Sequence, residues 1–122
     1  MIIRQRNEST PFITRDGSTI RSLLDRANAP VANQSLAEAT LTPGGRTAPH
    51  VHRLSEEFYY VLQGRGVMEL DGEAREVGPG DAILIAPGAV HTLCNSGAVP
   101  LVFLCCCAPP YADEDTYLMQ PE

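Results

Sequence analysis

Short runs that mix apolar and polar residues in strand-like order are separated along the chain by turn signals containing Gly, Pro or Asp. Runs of this length between such signals predict β-strands rather than helices. The predicted strands are Ser35–Thr42, Pro49–Leu54, Glu57–Gln63, Val67–Leu70, Glu73–Val77, Asp81–Ala86, Val90–Asn95 and Val99–Cys107. Strands spaced roughly 8–12 residues apart indicate an all-β sandwich or barrel. Asp71-Gly72 predicts a two-residue hairpin turn within this series.

The segment before residue 35 admits two interpretations. Apolar residues of Ile20–Ala27 recur at helical spacing, and Ser18 or Thr19 could cap such a helix. The same stretch could instead pair as an edge strand with Phe12–Thr14, and the pattern does not choose between them. At the other end, Asp113-Glu114-Asp115 in the segment from Ala112 to Glu122 predicts a solvated acidic terminus.

The length of 122 residues fits one domain. We expect a single domain over residues 1–122 with a motif-bearing core at 35–108, an N-terminal extension at 1–34 and a short acidic tail at 109–122. Hydrophobic residues make up 43% of the chain, which excludes wholesale disorder. Ten Gly and ten Pro in so short a chain argue against a helical bundle.

The net charge, the apolar runs and the cysteines limit which binding partners and which cellular compartment are expected. The net charge of -6 argues against a nucleic-acid partner, which would require a basic surface. The longest apolar run, Pro100–Pro110, is too short to span a bilayer, and Met1–Glu8 has no apolar segment of a secretory signal, so no membrane association is expected. Three of the four cysteines are contiguous, unlike a disulfide framework, and this favours a reducing cytoplasm.

The three histidines of the chain are the strongest candidates for chemistry. His50 and His52 are two residues apart on a predicted strand, so both rings project from one face. Glu57 follows five residues later, and His91 follows a Pro-Gly turn. Three imidazoles and a carboxylate form a mixed nitrogen and oxygen ligand set for a divalent transition metal. A His-x-His pair alone is more often structural, so the flanking residues decide the interpretation.

Those flanking residues have a characteristic spacing. Gly44, five residues, His50-x-His52, four residues, Glu57, six residues and then Gly64 resembles the first cupin motif position for position. Gly80, followed by Gly88, two residues, His91, three residues and Asn95, resembles the second cupin motif. One departure is Ala86 at the position where the family usually has Pro, with Pro87 still constraining the turn. The chain is therefore identified as resembling a small single-domain cupin.

The resemblance implies an all-β jelly-roll barrel with one divalent transition metal ion per chain inside its mouth. Carried over residue by residue, His50, His52, Glu57 and His91 would be the ligands, with Fe, Mn, Ni, Zn, Co and Cu all compatible. Glu56 is an alternative to Glu57, although the spacing to Gly64 favours Glu57. On the implied octahedral ion, two positions would stay free for water or substrate.

The function implied by the resemblance is a metal-dependent, oxygenase-type enzyme acting on a small organic molecule. One alternative is a non-redox isomerase, epimerase or cyclase that uses the same metal, and another is a non-enzymatic sugar or metabolite binding module. Small members of the family commonly pair through sheet edges, so we expect a homodimer formed through Val99–Cys107 or Ile13–Leu24.

Two other groups of residues have simple structural explanations. Tyr59 shares a strand face with Glu57, so it could line the pocket, although filling the barrel is the simpler role. Cys105–Cys107 alternate across a strand, so at most two of the thiols share a face, and we expect them to be small buried hydrophobes.

Overall fold

The computed structural model describes residues 1–119, and across these residues it contains eleven β-strands and two short 3-10 helices, Arg6–Glu8 and Asp113–Asp115. The strands are β1 (Phe12–Ile13), β2 (Thr19–Leu24), β3 (Ser35–Leu41), β4 (His50–His52), β5 (Glu56–Gln63), β6 (Gly66–Leu70), β7 (Glu73–Val77), β8 (Ala82–Ile85), β9 (His91–Asn95), β10 (Leu101–Ala108) and β11 (Thr116–Leu118). The predicted all-β fold is confirmed. Within residues 1–119, no helix has the length and apolar character needed to cross a membrane.

The strands form two antiparallel sheets whose inner faces enclose the core. One sheet has the order β1-β2-β3-β10-β5-β8, and the other has the order β11-β4-β9-β6-β7. Alternation along each strand points one set of side chains inward. The core side chains on β5, β9 and β10 include Val61, Leu93, Leu101 and Phe103, all essentially inaccessible to solvent. This arrangement is the double-sheet jelly roll expected from the sequence.

Two glycine-containing turns set the register of neighbouring strands. Asp71 and Gly72 have φ angles of 48° and 86°, so both central residues of the β6–β7 turn are left-handed, as the predicted hairpin requires. Gly64, between β5 and β6, has a φ of 85°, and a Cβ there would lie 2.7 Å from the carbonyl oxygen of Pro100. Only glycine fits at this position, which explains the final glycine of the first motif.

The N-terminal segment forms strands, so the helical interpretation of Ile20–Ala27 is wrong; the predicted pairing with Phe12–Thr14 is correct, but β1 rather than β2 is the edge strand. β2 pairs with β1 on one side and with β3 on the other. Ile20 lies opposite Ala39 and packs against the core. The gain from covering the edge of β3 and burying Ile20 explains why strand pairing prevails over the helical spacing.

The C-terminal segment adds a strand to the second sheet. β11 pairs with β4, the strand that carries two of the histidines. Asp115, only 8% exposed, accepts hydrogen bonds from the backbone N–H groups of Leu54 and Ser55. The expectation of a solvated acidic terminus is therefore wrong for Asp115, although Asp113 and Glu114 are exposed. The rest of that predicted tail, residues 120–122, lies outside the described residues.

Candidate metal centre

The three histidines meet between the two sheets because β4 and β9 are neighbours. His50 lies directly opposite His91 in the antiparallel register, and the centroids of their rings are 4.1 Å apart. His52 follows two residues after His50 on the same face of β4, with its ring centroid 5.1 Å away. All three side chains are buried, and one nitrogen from each ring lies within 4.8 Å of the others. This is the geometry of a site that could hold a metal ion.

Each imidazole is oriented by a partner at its Nδ1 atom. His50 Nδ1 lies 2.7 Å from the carbonyl oxygen of Ala48, and His91 Nδ1 lies 3.0 Å from that of Ala89. His52 Nδ1 lies 3.2 Å from Oγ1 of Thr116, whose hydroxyl can donate to another carbonyl. A carbonyl can only accept, so these contacts favour protonation at Nδ1 and leave the Nε2 lone pairs free to bind a metal.

Glu57 faces the histidines from the opposite sheet. Its Oε1 lies 3.3 Å from His52 Nε2 and 3.4 Å from His91 Nε2, and the residue is only 4% exposed. Its Oε2 accepts a hydrogen bond from the thiol of Cys107 on β10, at 3.2 Å. The strand pairing explains this contact, since Cys107 lies directly opposite Glu57. The carboxylate is thus held with one oxygen toward the imidazoles.

The ionisation states follow from burial and from these neighbours. Burial opposes ionisation of Glu57, but the facing rings of His52 and His91 outweigh it and lower its pKa to about 2. Burial, reinforced by the neighbouring His91, lowers the pKa of His50. For His52, burial acts in the same direction, but Glu57 outweighs it and raises the pKa. At neutral pH Glu57 is therefore ionised, and His50 and His52 differ in their affinity for protons.

Two buried polar atoms of the site, Glu57 Oε1 and His91 Nε2, have no hydrogen-bond partner among residues 1–119. A buried polar atom without a partner costs roughly 1–3 kcal/mol, so such atoms are uncommon in native proteins. An ion between the imidazoles and the carboxylate would satisfy both atoms at once. The donor set of nitrogen and carboxylate oxygen also suits a divalent transition metal, so the residues present fit such an ion.

The two carboxylates that the sequence left as alternatives lie on opposite faces of β5. Glu56 is exposed, whereas Glu57 is buried beside the histidines. Tyr59 continues the inner face and packs against Phe103 with a centroid distance of 4.8 Å, and it also lines the cavity above the site. It therefore contributes both to the core and to the wall of the pocket. Burial raises the pKa of Tyr59 well above its ordinary value, so its hydroxyl stays protonated.

A cavity with about 80 Å³ of free volume opens beside the site. His50, His52 and Glu57 lie on its wall. Much of the remaining wall is apolar or aromatic, including Phe12, Ile20, Tyr59, Phe103 and Tyr111. The wall also carries polar side chains elsewhere, including Ser22 and Asp25, so it combines a mainly apolar surface with a few polar groups, as small-molecule sites usually do.

Three contributors to the site were not identified from the sequence. Cys107 was expected to be an inert hydrophobe; it is buried and free, but its thiol also donates to Glu57. Thr116, which contacts His52, lies in the segment expected to be solvated. Asp16, whose carboxylate reaches His50, lies in the segment whose structure was left open. Strand alternation could have placed Cys107 on the same face as Cys105, but no spacing relates the other two residues to the motifs.

The chain belongs to the cupin family, since the cupin domain model matches residues 37–107. A protein of Methanocaldococcus jannaschii, MJ1618, is 50% identical over 90% of this chain and 88% of its own length. The structure is similar to that of the polyketide cyclase RemF from Streptomyces resistomycificus, with a TM-score of 0.81, 28% identity, and coverage of 100% of this chain and 87% of RemF. A predicted oxalate decarboxylase from Thermotoga maritima has a TM-score of 0.77 and 26% identity, with coverage of 88% and 98%.

Proposed function

We propose that the chain is a metal-dependent enzyme that acts on a small organic molecule, with His50, His52, Glu57 and His91 as the metal ligands. The observation that carries this proposal is the convergence of three Nε2 atoms whose rings are fixed at Nδ1. Glu57 Oε1, which has no hydrogen-bond partner in the described part of the chain, lies 3.3 Å and 3.4 Å from two of these nitrogens. In a purely structural role, three buried imidazoles would not be expected to direct one nitrogen each toward the same point, because nitrogens directed in this way often lack hydrogen-bonding partners of their own.

A bound ion would supply Lewis-acid chemistry to adjacent oxygens of a substrate and, if it were Fe, Mn or Cu, the capacity to activate O2. The residues of the chain have the remaining roles. Glu57 supplies one negative charge against the ion, and the apolar wall excludes water from the substrate. Tyr59 and Phe103 present aromatic faces against which a flat molecule could pack.

The wall of the cavity favours a substrate that is mainly apolar and carries oxygens at one edge. Phe12, Ile20 and Tyr111 would contact the body of such a molecule, while its oxygens reach the metal ligands at the base. The similarity to the polyketide cyclase RemF over the whole chain supports this substrate class. It also favours the non-redox, cyclase-type reaction over the oxygenase-type reaction that the sequence placed first.

The metal and the reaction class can be tested in one series. Protein purified without added metal is analysed for its metal content and then reloaded with Zn, Fe or Mn. Bound metal that is lost in Glu57→Gln but retained in Glu56→Gln would support the ligand assignment. Oxygen uptake that depends on Fe or Mn and on a flat oxygenated aromatic probe such as a dihydroxynaphthalene would favour the oxygenase. Failure of wild-type protein to bind any divalent transition metal would overturn the proposal.

The binding-module alternative makes a different prediction for the same probe. A module would bind the dihydroxynaphthalene and return it unchanged, with every loaded metal, when the mixture is examined by mass spectrometry. The complete ligand set argues for an enzyme, since binding alone does not require a metal with free coordination positions.

We also propose that two copies of the chain associate through the outer face of the six-stranded sheet. Phe58, Tyr60 and Leu62 of β5 and Leu84 of β8 are exposed side by side on this face. Outward residues of β10 continue this face, but β10 lies between β3 and β5, so Val99–Cys107 does not supply the sheet-edge contact expected from the sequence. Sedimentation should give twice the monomer mass, and Leu84→Lys should shift the mass toward the monomer. A monomeric wild-type protein at high micromolar concentration would contradict this.

The predicted cytoplasmic location rests on the cysteines, all four of which are free. Free thiols are stable in a reducing compartment. Cell fractionation would test this location.

A further inference from the structure

Asp16 brings a second carboxylate to the candidate metal centre from a part of the chain outside both motifs. Its Oδ2 lies 3.6 Å from His50 Nε2, the nitrogen that faces the other imidazoles, and its side chain is only 14% exposed. Glu57 contacts the other two histidines. Each of the three Nε2 atoms therefore has a carboxylate oxygen beside it.

The loop Thr14–Ser18 between β1 and β2 holds this carboxylate in a fixed orientation. Asp16 Oδ1 accepts hydrogen bonds from the Thr14 hydroxyl at 2.7 Å, the Ser18 hydroxyl at 2.7 Å and the Ser18 N–H at 2.9 Å. Gly17 closes the turn with a φ of 95°, which favours glycine. Because all three donors use Oδ1, Oδ2 is left to face His50.

The loop is also attached to the segment that leads into β4, the strand that carries His50 and His52. The carbonyl oxygen of Asp16 accepts a hydrogen bond of 2.6 Å from the N–H of Ala48. The carbonyl oxygen of Ala48 in turn faces Nδ1 of His50. Ala48 therefore contacts both Asp16, through its N–H, and the His50 ring, through its carbonyl oxygen. These two contacts hold the Asp16 carboxylate and the His50 ring at a fixed distance from each other.

Charge balance explains why a second carboxylate belongs here. A divalent ion held by three neutral imidazoles and Glu57 would keep one uncompensated positive charge in a buried site. Burying such a charge is costly unless a partner of opposite sign is close. The Asp16 carboxylate supplies that partner, in addition to an oxygen of the type that divalent transition metals accept as a ligand.

We propose that Asp16 Oδ2 binds the metal ion at one of the two positions that His50, His52, Glu57 and His91 leave free on an octahedral ion. This inference rests on the metal site of the proposed function. With Asp16 bound, one open position on the ion would stay available to a substrate oxygen. The N-terminal segment would then contribute one of the metal ligands.

The test measures Co²⁺ binding to the full chain by chelator competition and by visible absorption, which depends on the coordination of the ion. Asp16→Asn keeps an oxygen for the loop hydrogen bonds but removes the charge, and it should weaken Co²⁺ binding at least about tenfold and change the visible spectrum. Asp25→Asn is the matched control, because Asp25 lines the same cavity and, among residues 1–119, its carboxylate accepts hydrogen bonds only from the nearby Ser22, Ala27 and Asn28. It should bind Co²⁺ within about threefold of wild type with an unchanged spectrum.

Ser18→Ala separates loop damage from the loss of the carboxylate. It removes one hydrogen bond to Oδ1 while leaving Oδ2 in place, so the spectrum of bound Co²⁺ should stay that of wild type. Unchanged affinity in Asp16→Asn, or weaker affinity with an unchanged spectrum, would overturn direct binding by Asp16. Absence of Co²⁺ binding by wild type would overturn the proposed function as well, whereas binding that Asp16→Asn leaves intact would overturn this inference alone.

Discussion

The two motif segments and the chain termini contribute to the candidate metal centre in different ways. The motifs, on β4, β5 and β9, supply the three imidazoles and Glu57. The termini supply groups that touch those side chains: Asp16 beside His50 and Thr116 beside His52. β10, which ends the cupin match, supplies Cys107 beside Glu57.

This difference separates the side chains that follow from motif spacing from those that depend only on the fold. The proposed motif ligands are visible in the sequence because strand geometry fixes the spacing between them, whereas the proposed ligand Asp16 has no fixed spacing to the motifs. The groups that orient those ligands need only be close in space, so they can come from any segment that the fold brings there. Mutations in the two classes should therefore differ in size, and the following experiments compare them from the largest expected effect to the smallest.

The largest effect is expected for Glu57→Gln, which removes the charge of the proposed anionic ligand. Metal affinity should fall by well over the roughly 10–100-fold typical of losing an orienting group. Glu56→Gln is the matched control, because Glu56 is the adjacent residue on the exposed face. It should stay within a few-fold of wild type in a chelator competition assay. The reverse ranking would show that Glu56 is the ligand and that the interior face of β5 has been assigned incorrectly.

Lowering the pH should weaken metal binding through the motif histidines. The ion requires neutral imidazole, so protons compete with it, and each displaced proton changes affinity roughly tenfold per pH unit. Because Glu57 raises the pKa of His52 above its ordinary value, this competition begins above about pH 6.5 and grows as the pH falls. His50, with a lowered pKa, joins at lower pH. Metal occupancy that is equal at pH 8 and pH 5 would exclude the histidines as ligands.

Removing the thiol that orients Glu57 should have an intermediate effect. Cys107→Val leaves Glu57 Oε2 without its donor and should weaken metal binding about tenfold, whereas Cys107→Ser keeps a donor and should lose less. Cys106→Val controls for the packing of β10, because Cys106 lies on the opposite face. Equal affinities for the valine variants at the two positions would mean that the Cys107 contact does not position the ligand.

The smallest effect is expected for Thr116→Val at the C-terminal strand. The substitution keeps the shape of the side chain but removes the hydroxyl beside His52 Nδ1. The ring keeps its place on β4, so metal affinity should fall only a few-fold, and Thr116→Ser should behave as wild type. Isothermal titration calorimetry with Zn²⁺ would measure both. A loss of metal affinity as large as that of Glu57→Gln would contradict this prediction and show that the Thr116 hydroxyl is essential for metal binding.

The sequence predicted the strands and the motif side chains well because both depend on local periodicity. The inward position of Glu57 followed from the spacing to Gly64, and the hairpin followed from Asp71-Gly72. The terminal segments were harder to predict. Ile20–Ala27 has helical spacing, but pairing with β3 determines its structure. Asp115 belongs to an acidic run, and its burial depends on two backbone N–H groups about 60 residues away in the chain.

β5 also has a consequence for how the protein can change over generations. Its inner residues Glu57, Tyr59 and Val61 are buried, whereas its outer residues Phe58, Tyr60 and Leu62 are exposed. Substitutions at the outer positions can therefore alter the apolar surface and the assembly of the protein without disturbing the inner positions. Substitutions at the inner positions can likewise alter the site without changing the outer face. Insertion of one residue within the strand would exchange the two sets, so the fold constrains the length of this strand more strictly than the composition of its outer face.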